Sequence, residues 1–167
     1  MSSLEQIRHS LAHLLAAAVG ELYPETKNTI GPAVDNGFYY DFEFPSGVVI
    51  SEKEFPKIEK TMKKILPTWK DFEKISVSAV EAKKHFADNP YKLELIAEIE
   101  KQGGEITLYK SGKFVDLCRG GHADVKDIGA DAWKLERVAG AYWRGEEKNK
   151  MLTRIYGLAF GTKDELD

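Results

Sequence analysis

"LEQIRHSLAHLLAAAVGELY", residues 4–23, is the stretch that decides the fold. Leu4, Ile7, Leu11, Leu15, Ala18 and Leu22 recur at the helical period, and at about 100° per residue the opposite side carries His9, His13, Ala16, Ala17 and Gly20. Small residues let a second backbone approach closely. The spacing therefore predicts a helix covered on both sides, with two imidazoles projecting into a confined cleft.

Working outward, Pro24 ends this helix, and "NTIGPAVDNGFYYDFEF" reads as an extended run, a turn at 35–37 and a strand. Alternation puts Phe38, Tyr40, Phe42 and Phe44 on one strand face and Tyr39, Asp41 and Glu43 on the other. Residues 51–70 return to helical spacing, with Pro56 in the first turn and Pro67 at the break. A short strand at 73–78, helices over about 78–87 and 91–101, two strands within 105–118, two more in the tail and a terminal helical turn complete the chain. The expectation is an α+β fold: one domain over residues 1–167, with a mostly antiparallel sheet packed around the long N-terminal helix.

With 167 residues the chain can bury a sizeable core without disulfide or metal staples. Its single cysteine, Cys118, has no internal partner, and no apolar run approaches a membrane span, so the expected setting is cytoplasmic with no membrane partner. A formal net charge of −3 argues against broad wrapping of nucleic acid but leaves room for a nucleotide end in a local pocket.

Four potential ligands form two pairs: His9 and His13 at i, i+4 on one helix, and Cys118 and His122 in "CRGGH", residues 118–122. Gly120 and Gly121 permit a sharp turn that would bring the second pair to face the first. Three imidazoles and a thiolate suit tetrahedral zinc, although the spacing is not that of a zinc finger. The plainer alternative is that the histidines satisfy backbone groups and the cysteine packs in a core. Strand alternation places Asp116 on the same side as Cys118; by itself it reads as a strand-end residue, Lys92 as a solvated lysine and His85 as an exposed one.

"HSLAHLLAAAVGELYP", "IGPAVDNGFYYDF", "DLCRGGH" and "AGAYWRG" with "NKMLTRIYGLAF" together resemble, in order and over nearly the whole chain, the editing domain of bacterial threonyl-tRNA synthetase. Alanyl-tRNA synthetase editing domains and their free-standing relatives share the ligand pairs, but the longer stretches favour the threonyl type. The family usually reads C-R-G-P-H; here Gly121 takes the place of the proline, which leaves the rigidity of the loop open.

The resemblance implies an aminoacyl-tRNA deacylase that proofreads Ser-tRNA(Thr), needed because a missing methyl discriminates by only about 1 to 3 kcal/mol in a synthetic site. It implies as site residues His9, His13, Lys92, Asp116, Cys118 and His122, with Tyr39 or Tyr40 and the glycines Gly120 and Gly121 near the substrate. His9 would take a proton from water, Lys92 would position the water or stabilise the oxyanion, and Asp116 would bind the substrate's amino group or hydroxyl. The partners implied are the 3′-terminal adenosine of seryl-tRNA(Thr) and the remainder of the synthetase, a small domain before this segment and a class II core after it. No ATP-binding motif of that core occurs, so no ligase activity is expected from this chain. Alanyl-type relatives hold zinc at the equivalent ligands. The expectation here is hydrolysis with no cofactor required, with zinc as a second possibility at His9, His13, Cys118 and His122. Competing readings are an alanyl-type deacylase acting on Ser- or Gly-tRNA(Ala), a non-catalytic metal- or RNA-end-binding module, and a hydrolase using Cys118 as nucleophile.

Overall fold

Ser3 starts the first helix, α1 (Leu4–Leu22), with a reciprocal cap: its hydroxyl accepts from Gln6 N, and the Gln6 side chain accepts from Ser3 N. In the computed structural model, which describes residues 2–129 and 131–167, Leu11, Leu14, Leu15, Ala18 and Val19 of this helix are fully buried. Burying each of the leucines contributes about 1.5 to 3 kcal/mol. The second face is covered only as far as Ala16: Ala17 is half-buried and Gly20 is exposed, so the expected two-sided cover stops one turn before the helix does.

The helix lies against a five-stranded antiparallel sheet of β1 (Lys27–Asn28), β2 (Ala33–Val34), β3 (Gly37–Glu43), β7 (Trp133–Tyr142) and β8 (Met151–Ala159). β1 and β2 both pair with β3, followed by β8 and β7. The register sets Tyr40 opposite Ile155 on the inner face and Asp41 opposite Arg154 on the outer one. Between residues 51 and 70 the regular helix is shorter than the periodicity suggests: α2 (Phe55–Ile65) is flanked by 3-10 turns at Glu52–Glu54 and Leu66–Thr68, the second containing Pro67. Phe55, Ile58 and Met62 of α2 pack into the same core as α1.

A second antiparallel sheet, β4 (Glu73–Val77), β5 (Ile106–Ser111) and β6 (Phe114–Leu117), carries α3 (Ala79–His85) and α4 (Pro90–Lys101) around a smaller core of Ala82, Phe86, Ile96, Ile106 and Leu108. The domain thus has two sheets where one was expected, each antiparallel. Asn89 caps α4 through Tyr91 N and Lys92 N, with Pro90 at the first helical position. A four-residue helix, α5 (Lys163–Leu166), ends the chain, and no described helix is long and apolar enough to cross a membrane. His85 is exposed on α3, as the sequence suggests.

Candidate active site

A cleft of ≈ 350 Å³ opens between these two halves, and it is here that α1 meets β6. His9 and His13 reach it from α1, Thr29 to Pro32 from the connection between β1 and β2, Tyr40 from β3, Lys92 and Leu95 from α4, and Asp116 to Arg119 from the end of β6. The potential ligand atoms of His9, His13, Cys118 and His122 all lie within 4.8 Å of one another. His9 Nε2 is 3.1 Å and His122 Nε2 3.5 Å from Cys118 Sγ. Two segments more than 100 residues apart in sequence therefore close on one point, as the paired spacing suggests.

Beneath this cluster is a buried polar network. Lys92, only 1% exposed, directs Nζ at Thr29 O (2.6 Å), Tyr40 Oη (3.1 Å) and Asp116 Oδ1 (2.6 Å), which uses all three ammonium hydrogens. Asp116 also accepts from Tyr40 Oη at 2.6 Å and from Leu117 N at 2.8 Å. His13 Nδ1 lies 3.0 Å from Asp116 Oδ2 in an ion-pair contact with poor hydrogen-bond alignment, while its Nε2 is buried with no hydrogen-bond partner among the described residues. Asn28 extends the network, donating to Tyr40 Oη at 3.0 Å and accepting from Asn89 Nδ2 at its own carbonyl. The residue that caps α4 is thereby linked to the carboxylate in the cleft.

Charge states follow from these contacts. Burial alone would push the Cys118 thiol up, but hydrogen bonding from His122 and His9 and the nearby charge of His13 hold it at about 4, so a thiolate sits among the imidazoles at neutral pH. For His13, burial opposes charge, yet the Asp116 carboxylate and the Cys118 sulfur raise it to about 9. His122 moves the other way: burial lowers it, outweighing the attraction of Cys118. Asp116 is buried, which opposes ionisation, but Lys92 and His13 keep it well below the usual carboxylate range.

Residues 106–156, which include β5, β6 and the Cys118–His122 segment, match the family described as the threonyl and alanyl tRNA synthetase second additional domain. Over 165 residues the chain is 51% identical to the threonine-tRNA ligase of Thermotoga maritima, covering 98% of this chain and 25% of that protein. It is 50% identical over 160 residues to the threonine-tRNA ligase of Borreliella afzelii, covering 95% and 27%. Nearly the whole chain is thus similar to one segment of threonine-tRNA ligases, and within it residues 106–156 carry the second additional domain pattern. The chain spans about a quarter of the length of the curated relatives it matches.

Around the cleft the expected site residues separate into two groups. His9, His13, Tyr40, Lys92, Asp116 and Cys118 line the cleft, and His122 stands behind them, its ring 4.8 Å from that of His9 and 4.9 Å from that of His13. Tyr39 is on the outer face of β3, where Arg154 stacks 3.9 Å from its ring, so strand alternation takes it away from the cleft and Tyr40 is the tyrosine that lines it. Gly120 and Gly121 do not line the cleft; they turn the backbone at φ 118° and φ 89°. Phe72 was not singled out from the sequence, yet it lies parallel to His122 at 4.2 Å and 8°, with Tyr109 on the same ring at 4.5 Å.

The donor set fits a tetrahedral ion such as zinc: three imidazoles and a thiolate converge, and His13 has one nitrogen turned to a carboxylate and the other free, the usual outer support of a metal-binding histidine.

Proposed function

We propose that this chain hydrolyses the aminoacyl ester of mischarged Ser-tRNA(Thr). The observation that carries the reading is the convergence of His9, His13, Cys118 and His122 in a cleft floored by Lys92 and Asp116, within a domain of threonyl type. Its setting would be cytoplasmic, with the rest of a synthetase holding the duplex parts of the tRNA that an acidic domain holds poorly.

The three imidazoles of the cluster are not equivalent. His13, raised to about 9, is a cation at neutral pH and has no lone pair to offer. His122, lowered by burial, stays neutral and is packed against Phe72. His9 is half-buried at the cleft wall and serves as the base. Donating Nε2–H to the Cys118 thiolate leaves Nδ1 as its basic nitrogen. Water attacks the ester carbonyl carbon as His9 takes its proton. The bond from that carbon to the ribose oxygen then breaks, and the proton passes to the leaving oxygen. On this reading the cleft admits serine and excludes the extra methyl of threonine.

In this reading Lys92 and Asp116 act chiefly by holding Tyr40 and His13 in place and in their charge states, since their own hydrogen-bonding positions are filled by protein groups. Hydrolysis requires no resident cofactor. Zinc held by His9, His13, Cys118 and His122 would add a Lewis acid and lower the pKa of a bound water.

The test is to offer the chain Ser-tRNA(Thr), Thr-tRNA(Thr) and Ser-tRNA(Ala), with and without a chelator. Hydrolysis of the first alone, unaffected by chelation, is expected. Preference for Ser-tRNA(Ala) would favour an alanyl-type deacylase, activity lost on chelation and restored by zinc would make the metal essential, and binding without hydrolysis would leave only an RNA-end module.

A further inference from the structure

We infer that Arg119 binds the phosphodiester on the 5′ side of the nucleotide whose ribose carries the ester; the inference rests on the hydrolytic reading above and adds a ligand contact to it. Four side chains able to carry positive charge line the cleft: His9, His13, Lys92 and Arg119. Three have partners already. Lys92 is enclosed by Thr29, Tyr40 and Asp116, His13 faces Asp116, and His9 faces Cys118. Arg119 is exposed and, among the described residues, has no carboxylate within ion-pair distance and no hydrogen-bond acceptor.

The acidic side chains of the same cleft are differently placed. Glu98 is held by Arg144, and Glu105 accepts from Ser76 at 2.6 Å. Neither neutralises Arg119, so its guanidinium is left for a ligand. Its backbone is well anchored: Cys118 N donates to Thr107 O at 3.2 Å, the Thr107 hydroxyl donates to Cys118 O, and Gly120 turns the chain directly afterwards with the Tyr109 hydroxyl packed against it. A cation on a fixed stretch, next in sequence to the sulfur of the hydrolytic cluster, can reach an anion lying one ribose away from the scissile ester. That anion is the phosphate of the ester-bearing nucleotide. The planar fork of arginine matches two phosphate oxygens, and in a chain of net charge −3 one placed guanidinium supplies attraction that the overall field does not.

The experiment compares two small substrates, 3′-O-seryl-adenosine and its 5′-phosphate. The readout is the ratio of their kcat/KM values, phosphate over no phosphate, for wild type, Arg119→Lys and Arg119→Gln. The ratio is expected to fall about tenfold in Arg119→Gln, through KM, with Arg119→Lys between, because a point charge replaces two directed hydrogen bonds. An unchanged ratio in Arg119→Gln overturns the inference. A second arm avoids hydrolysis altogether: the affinity of the RNA trinucleotide CCA is measured against salt. Losing one phosphate contact is expected to reduce the slope of log affinity on log salt by about 0.7 in Arg119→Gln. An unchanged slope, or no binding of CCA by the wild type, overturns it. An Arg119-dependent slope in a chain that hydrolyses neither ester would sink the deacylase reading while leaving the phosphate contact standing.

Discussion

Lys92 Nζ lies 2.6 Å from Asp116 Oδ1, and each side chain is 2% exposed. A pair this deeply buried is maintained by mutual charge and by the Tyr40 and Thr29 oxygens around it, so each partner depends on the other.

Replacing Lys92 by Met removes one charge and strands the other. Stability measured by urea unfolding should drop by about 3 to 5 kcal/mol, and adding Asp116→Asn in the same chain should restore part of the loss. Full retention of stability in Lys92→Met would show that the pair contributes nothing.

The same carboxylate predicts an acid dependence. Its pKa in the folded chain lies below the unfolded value, so it contributes stability above the unfolded carboxyl pKa of about 4 and loses that contribution as pH falls below it. Between about pH 4 and pH 2 the wild type should therefore lose stability more steeply than Asp116→Asn. Parallel curves would contradict the assignment.

Gly121 adopts φ 89°, and nothing lies within 4 Å of where its Cβ would be. A proline ring holds φ near −65°, so this loop uses a backbone that C-R-G-P-H cannot adopt. Gly121→Ala should cost about 1 to 2 kcal/mol from conformation alone. Gly121→Pro should displace His122 and reduce deacylation at least tenfold, read by single-turnover rate and thermal unfolding. Wild-type rates in Gly121→Pro would mean that the loop geometry does not matter to the site.

The helix, the hairpin at 33–43 and the two ligand pairs were legible because each rests on local periodicity or on residue types that few chemistries use. The network beneath them was not. Lys92 reads as a solvated lysine on a short helix, and only the approach of Thr29 and Tyr40, more than 50 residues earlier, buries it. Strand alternation separates Tyr39 from Tyr40, but which face meets the cleft depends on α1 packing against β3, a contact no local pattern encodes. Asn28, Phe72 and Arg119 lie at strand ends or in loops, where no period marks them; the buried asparagine that caps α4 was the nearest available signal, as Asn-Pro before a helical run.

Phe72 offers a test of how His122 is held. The buried Nδ1 of His122 has no hydrogen-bond partner among the described residues, so its ring is oriented by the Nε2 contact with Cys118 and by stacking on Phe72. Phe72→Leu should lower the single-turnover rate several-fold and alter its pH profile, while Phe72→Tyr should preserve both. Equal behaviour of the two variants would assign Phe72 to packing alone.

The most direct measurement is single-turnover hydrolysis of Ser-tRNA(Thr) by the wild type, His9→Ala and Lys92→Ala, each first shown to be folded. The wild type should deacylate Ser-tRNA(Thr) and spare Thr-tRNA(Thr), with His9→Ala slower by about 100-fold or more, the scale of a lost general base, and Lys92→Ala also impaired. If folded His9→Ala and Lys92→Ala both keep the full wild-type rate, the site assigned here is not where the ester is cleaved.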